Sequence, residues 1–164
     1  MEFVEWLTNT PAGDFVMTML VSMVPVVELR GGIPYGVAAG LPVWLAYIAA
    51  FIGNLIPVPF ILVYIRQIFK WIRKHMPKLN NLIDKLEKKA HLKGATMLKY
   101  QYLGLAIFVA IPLPGTGAWT GALAAAFLDM RLKKAFPACV LGVAVAGILI
   151  SILTYGVASL FGGA

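Results

Sequence analysis

The chain has 164 residues, of which 60% are hydrophobic and 13% are charged, and its mean hydropathy is +0.84. Because soluble domains carry about 25% charged residues, this composition excludes a water-soluble globule and predicts an integral membrane protein. A hydrocarbon core ~30 Å thick requires about 20 apolar residues per crossing helix. The length leaves no room for a separate catalytic domain. Because the sequence also shows no nucleophile–base pair and no metal cluster, we expect no enzyme activity.

Few residues can carry metal or redox chemistry. Cys139 is the one cysteine, and the two histidines, His75 and His91, lie in a lysine-rich stretch. We therefore expect no metal and no cofactor. The net charge of +7 is interpreted as the cytoplasmic excess of Lys and Arg in membrane proteins, so no nucleic-acid partner is expected.

Four apolar stretches follow one another along the chain. They cover residues 15–27, 33–65, 102–128 and 135–161. The first reaches only about 20 Å at ~1.5 Å per residue and is too short to cross a bilayer. We therefore predict that this segment enters the membrane and turns back.

A basic segment, residues 66–99, separates the second and third apolar stretches. It holds ten of the fourteen Lys and Arg residues. Its apolar residues recur at spacings of three and four, which predicts an amphipathic helix interrupted at Pro77. Such a helix lies on a membrane surface with its lysines toward anionic headgroups, and we expect this segment to be cytoplasmic.

A second basic cluster decides the predicted topology. Arg131, Lys133 and Lys134 precede the last apolar stretch, and four full crossings would place them outside, against the positive-inside rule. The conflict disappears if the first and third segments are re-entrant hairpins. The order is then hairpin, span, cytoplasmic helix, hairpin, span, with both termini outside.

The predicted fold is an all-α integral membrane protein with two inverted repeats. Each repeat is a re-entrant helical hairpin plus one transmembrane helix, and a cytoplasmic amphipathic helix joins them. Repeat 1 covers about residues 15–66, the linker 67–99 and repeat 2 102–161, within a single membrane domain. A shift of 89 residues aligns Gly32 with Gly121 and Gly53 with Gly142. Inverted repeats of broken helices are typical of secondary transporters.

Proline and glycine accumulate at the two proposed hairpin turns, residues 25–34 and 111–121. A helix interior does not tolerate them in this combination, so both turns are predicted to be breaks. Broken helices at membrane depth occur only where protein or a water-filled cavity covers their backbone groups. The two turns therefore indicate a site.

The run Val27-Glu28-Leu29-Arg30-Gly31-Gly32-Ile33-Pro34, followed by Ile111-Pro112-Leu113-Pro114-Gly115-Thr116-Gly117, resembles the small multi-drug export protein family. It is similar, more distantly, to the DedA (VTT) superfamily, whose members are thought to move lipids or lipid carriers across bilayers. That resemblance implies an acidic residue near a proline, matched by Glu28 and Pro34. The arginines usual in the second DedA hairpin are missing, because Thr116 follows the glycine here.

Two charged residues are the main candidates for chemistry. A charge at the bilayer centre costs about 2.5–3.5 kcal/mol on insertion scales and usually pairs or lines a cavity. We predict Glu28 as a protonatable carrier and Arg30 as an anchor for an anionic headgroup or a partner of Glu28. The alternative is that the turn reaches water and both charges are solvated.

The second turn is a candidate for anion binding, because helix N-termini with small residues bind phosphate or carboxylate. Its alternative is a purely structural turn. The amide of Asn54 is interpreted as satisfying free backbone groups of a hairpin tip. The full set of predicted substrate- or proton-binding residues is Glu28, Arg30, Gly31, Gly32, Pro34, Asn54, Pro112, Pro114, Gly115, Thr116, Gly117 and Thr120.

These features predict a transporter of an amphiphilic substrate in a prokaryotic plasma (inner) membrane. The first expectation is a phosphate-headed lipid, such as an anionic phospholipid or polyprenyl phosphate, with proton coupling through Glu28. The alternatives are proton-coupled export of hydrophobic cationic drugs, and a non-transport scaffold or assembly factor. A homodimer is expected because each repeat encloses little space.

Overall fold

The structure, a computed structural model, describes residue 6 and residues 10–75, 100–113, 116–128 and 130–160. The regular elements in these ranges are all α-helices, which confirms the predicted all-α class. In chain order they are α1 (Pro11–Met23), α2 (Glu28–Ala38), α3 (Val43–Leu55), α4 (Pro57–His75), α5 (Gln101–Ala110), α6 (Ala118–Phe127) and α7 (Leu132–Leu160).

Two helical stretches are long and apolar enough to cross a membrane. The first is Val43–Ile65, formed by α3 and the beginning of α4, and the second is Leu132–Val157 within α7. At ~1.5 Å per residue both exceed the ~30 Å of a hydrocarbon core. By the same measure α1, α2, α5 and α6, with 10 to 13 residues each, are too short.

The basic segment does not begin as a separate helix. Helix α4 continues to His75, so the start of the predicted surface helix is a direct extension of the first long apolar stretch. The helix continues there because the sequence presents no Pro or Gly between Pro59 and His75 to end it. The remainder of that segment, 76–99, lies outside the described residues.

Helices α1, α2 and α3 form a tight antiparallel arrangement. A Cβ added to Gly36 would meet Thr18 of α1, whereas one added to Gly32 would meet Ser22. These two pairs advance along α2 while they move back along α1, so the helices are antiparallel. The buried hydroxyls of Thr18 and Ser22 donate to carbonyl groups of their own helix at 2.7 and 2.8 Å. Both hydroxyls are thus satisfied without a partner on α2.

Helix α2 packs against α3 with the same periodicity. The Cβ positions of Gly36 and Gly32 face Ala46 and Ala50, respectively, so α2 and α3 are also antiparallel. Helix α1 consequently runs in the direction of α3, and the backbone of Met19 approaches α3 closely. Such close approach between helix backbones depends on small residues.

Both predicted turns are longer than the observed ones. Residues 24–27 connect α1 to α2, and residues 111–117 connect α5 to α6. The prediction that the whole run from Pro25 to Pro34 breaks the helix is wrong, because Pro34 lies inside α2. Proline removes one internal hydrogen bond, but burial of Leu29 and Ile33 between the neighbouring helices stabilises α2 across it. Likewise, Gly121 of the second turn lies inside α6.

The long helices α3–α4 and α7 are antiparallel to each other. The ring of Tyr47 in α3 contacts Gly147 of α7, and its hydroxyl donates to the Ala144 carbonyl at 3.3 Å. Further along α4, Pro59 lines a cleft together with Lys133, near the beginning of α7. Increasing residue numbers in one helix therefore meet decreasing numbers in the other. The basic end of α4, with Lys74, and the basic beginning of α7, with Lys133, consequently belong to the same end of the molecule.

The core between these helices consists mainly of small residues. Alanines predominate among the fully buried side chains, while larger apolar side chains on α4 and α7 are exposed, including Phe60, Leu141 and Ile152. Small residues at helix contacts and large ones outside are typical of helices packed in lipid. The exposed apolar surface agrees with the membrane location expected from composition.

Candidate functional site

The two pairs of short helices, α1–α2 and α5–α6, meet at Glu28. This residue begins α2, is 3% exposed, and its Oε1 accepts a hydrogen bond of 3.0 Å from the backbone N–H of Trp119. The backbone N–H of Ala118 also donates to the carboxylate. Both donors belong to the first turn of α6, where unpaired N–H groups and the helix dipole favour a negative charge. The carboxylate at the beginning of α2 therefore occupies the N-terminus of α6.

Gly117 makes room for this contact. A Cβ at this position would lie 2.7 Å from Cδ of Glu28, which is too close for any real pair of carbon atoms. Its φ of +133° is also one that L side chains rarely adopt. Only glycine lets the Glu28 side chain reach the N-terminus of α6 without displacing the backbone.

The backbone at Glu28 is itself in an uncommon conformation. Its φ is +50°, and that of Val26 in the same turn is +73°. Non-glycine residues with positive φ cost of order 1 kcal/mol or more, and such strain concentrates at functional sites. Here the left-handed turn directs the carboxylate into the protein while Val26 remains 91% exposed.

Arg30 connects α2 to the second turn. Its guanidinium donates to the carbonyl of Leu113, to the carbonyl of Ile111 at 3.0 Å and to Oγ1 of Thr116 at 2.8 Å. The Thr116 hydroxyl lies 2.7 Å from each of the same two carbonyl oxygens. Arg30 and Thr116 thus form hydrogen bonds with two carbonyl groups that follow the end of α5 and have no partner within a helix. The hydrogen-bond partner of Arg30 is this turn rather than Glu28, although the two opposite charges attract each other.

The structure brings together four of the predicted residues, Glu28, Arg30, Thr116 and Gly117. Pro112 lies in the same turn and is half-buried. Thr120 is nearby in sequence, but its hydroxyl donates to the carbonyl of Gly117 at 3.3 Å and completes the first turn of α6.

The other predicted residues lie away from this contact or outside the described residues. Gly31, Gly32 and Pro34 belong to α2 beyond its first turn, where Gly32 packs against Ser22 and Pro34 is exposed. Pro114 and Gly115 lie outside the described residues.

The interpretation of Asn54 is wrong. Asn54 lies in the last turn of α3 and is completely buried, but neither its Oδ1 nor its Nδ2 has a hydrogen-bond partner among the described residues. Its amide therefore binds no backbone group of either turn in the part of the chain that the structure describes. Backbone groups of the second turn and of α6 have other partners, since Arg30 and Thr116 bind the carbonyl of Ile111 and Glu28 accepts from the N–H of Trp119.

The sequence did not identify two residues that donate hydrogen bonds to Glu28. Ala118 and Trp119 supply backbone N–H groups, which any residue except proline provides, so side-chain chemistry gives no signal for them. The available signal was positional, because both residues directly follow the Gly-Thr-Gly run and begin a helix. Trp119 is half-buried, and its indole Nε1 lacks a partner among the described residues.

Comparison with known proteins gives one family match. The model of the small multi-drug export protein family matches residues 28–149, about three quarters of the 164-residue chain. The matched range begins at Glu28 and includes Arg30 and the second turn, residues 111–117. No curated protein and no solved structure matches the chain. On the family match, this chain belongs to the small multi-drug export protein family.

Proposed function

We propose that this protein exports hydrophobic cations in exchange for protons and that Glu28 is the exchange site. The observation that carries the proposal is the buried Glu28 carboxylate, whose hydrogen-bond donors are backbone N–H groups rather than a cationic side chain. A proton or an organic cation can neutralise that carboxylate in turn. Binding of either one weakens the attraction between the carboxylate and the N-terminus of α6, which couples cargo exchange to contact between the hairpins.

A phosphate-headed lipid, the first expectation from sequence, has less support. That substrate needs a free arginine and a free helix N-terminus to bind its phosphate. In the structure Arg30 donates to the second turn and the N-terminus of α6 binds Glu28. The family match points to drug export rather than to lipid movement.

Transport by purified protein in proteoliposomes tests this function. We expect ethidium, a hydrophobic cation that cannot lose its charge, to accumulate when a pH gradient is imposed and to stop accumulating when nigericin collapses the gradient. Movement of a fluorescent phospholipid analogue without movement of ethidium would instead favour the flippase alternative. A protein inert toward both would favour the scaffold alternative.

The proposal includes two re-entrant hairpins related by an inverted repeat. It is supported by the short length of α1, α2, α5 and α6 and by the antiparallel long helices. Equivalent glycines also make equivalent contacts. A Cβ on Gly53 would lie 2.9 Å from the Met19 Cα, and one on Gly142 would lie 2.7 Å from the carbonyl oxygen of Ala106. The first short helix of each repeat, α1 or α5, thus approaches the long helix of that repeat at an equivalent glycine.

Accessibility of single cysteines tests this topology. In a Cys139→Ala background, cysteines replacing the exposed residues Lys74 and Lys133 are expected to react with an impermeant maleimide from the same, cytoplasmic side. A cysteine at exposed Ser159 is expected to react from the opposite side. Labelling of the Lys133 position from outside, with the Lys74 position inside, would contradict the re-entrant hairpins.

A further inference from the structure

Asn54 is a buried polar side chain without a partner. It is 0% exposed, and both its donor and its acceptor lack hydrogen bonds among the described residues. Buried polar groups are nearly always hydrogen-bonded, and an exception requires a specific explanation. A carboxamide in this position is explained if its partner is a molecule that enters and leaves.

The helix register places Asn54 at the level of Glu28. Helices α2 and α3 are antiparallel, with Gly32 facing Ala50. One helical turn toward the beginning of α2 leads from Gly32 to Glu28, and one turn toward the end of α3 leads from Ala50 to Asn54. The carboxamide and the carboxylate therefore lie at the same depth on neighbouring helices.

Trp119 adds a third polar group near this position. Its backbone N–H donates to Glu28, and its indole Nε1 is buried without a partner among the described residues. The ring of this residue is a further candidate contact for an organic cation, because the face of an aromatic ring attracts positive charge. The unpaired polar groups thus belong to the same part of the molecule as the proposed exchange site.

We propose that Glu28 and Asn54 together bind the protonated nitrogen of an amine, so that the protein prefers amines with an N–H group to quaternary ammonium ions. The inference rests on the proposed export of cations and specifies the cargo. The Glu28 carboxylate attracts both kinds of cation, because it responds to charge. Of the two kinds of cation, only the one with an N–H group can donate a hydrogen bond to Oδ1 of Asn54. A quaternary ion leaves that acceptor unpaired in the closed site.

Binding of a matched pair of ligands tests the preference. The pair is a lipophilic tertiary amine and its N-methylated quaternary derivative, titrated at pH 7 onto the full chain in lipid nanodiscs by calorimetry. One hydrogen bond to a charged donor corresponds to a preference of roughly tenfold in Kd, and we expect wild type to favour the tertiary amine by about that factor. Asn54→Leu keeps the size of the side chain and is expected to bind the two ligands within about twofold of each other.

A second variant and the quaternary ligand act as controls. Ser151 on α7 also has a buried hydroxyl without a partner among the described residues. Because α7 is antiparallel to α3 and Gly147 faces Tyr47, Ser151 lies toward the opposite end from Asn54. Ser151→Ala is expected to retain the tenfold preference of wild type. Unchanged affinity of Asn54→Leu for the quaternary ligand shows that the variant is folded.

The remaining outcomes separate this inference from the proposed function. Equal affinity of wild type for both ligands overturns the preference for N–H and leaves cation export in place. A preference that persists in Asn54→Leu also overturns the role of Asn54. Failure of wild type to bind either ligand overturns both proposals.

Discussion

Replacing Glu28 with glutamine is expected to abolish pH-driven export of ethidium. Glutamine has the same size, and its carbonyl oxygen can still accept the hydrogen bond from Trp119. It has no charge to attract a cation and cannot exchange a proton. Removing one partner of a buried charge pair costs roughly 3–5 kcal/mol, so the affinity for the cation is expected to fall by at least about 100-fold.

Asp14 provides the matched control for this variant. It is an acidic residue in the first turn of α1, is half-buried, and lies outside the site. Asp14→Asn is expected to transport ethidium at the wild-type rate in the same proteoliposomes. Export by Glu28→Gln that still depends on the pH gradient would remove Glu28 from the exchange step.

Replacing Arg30 with alanine is expected to destabilise the protein and to slow transport. The change removes three hydrogen bonds to the second turn and leaves the carbonyls of Ile111 and Leu113 with fewer donors. Because this region is partly exposed, each bond contributes about 1 kcal/mol, and we expect the free energy of unfolding to fall by roughly 2–3 kcal/mol. Thermal unfolding monitored by tryptophan fluorescence measures this loss.

Arg30→Lys tests whether stability depends on the hydrogen bonds of the guanidinium or only on its positive charge. Lysine keeps the charge but lacks the planar fork that reaches several acceptors at once, so it is expected to restore only part of the lost stability. Thr116→Val should produce a smaller decrease, because it removes the hydroxyl that binds the same carbonyls. If Arg30→Ala were as stable as wild type but lost affinity for anionic lipid, Arg30 would be a headgroup anchor, as the sequence first suggested.

The sequence predicted the helical class and the two long apolar helices, but it did not define the turns. The all-α class and the two long apolar helices follow from composition and from runs without Pro or Gly. The beginning of α2 at Glu28 does not follow, because Pro34 inside a helix contradicts local propensity. Packing of α2 against α1 and α3 overrides that propensity. Only the three-dimensional arrangement reveals such compensation.

The sequence singled out several residues of the candidate site but not the contacts between them. The sequence singled out Glu28, Arg30 and an anion-binding turn, but not that Glu28 is bound by the N-terminus of α6. It also did not identify the partners of Arg30, two of which are backbone carbonyls about 80 positions further along the chain. Backbone groups carry no residue-specific signal, so sequence cannot identify them as partners. Asn54 is the reverse case, since its residue type suggested a partner that the described structure does not contain.

Glu28 is the one acidic residue among the buried polar side chains of the described chain. A single carboxylate can be neutralised by one monovalent cation or by one proton, but not by both. The stoichiometry of the proposed cycle is therefore one to one, and exchange of a monovalent drug is electroneutral. The membrane potential would neither drive nor oppose such exchange, so the acidity difference between the two compartments alone would set the concentration ratio that the protein can sustain.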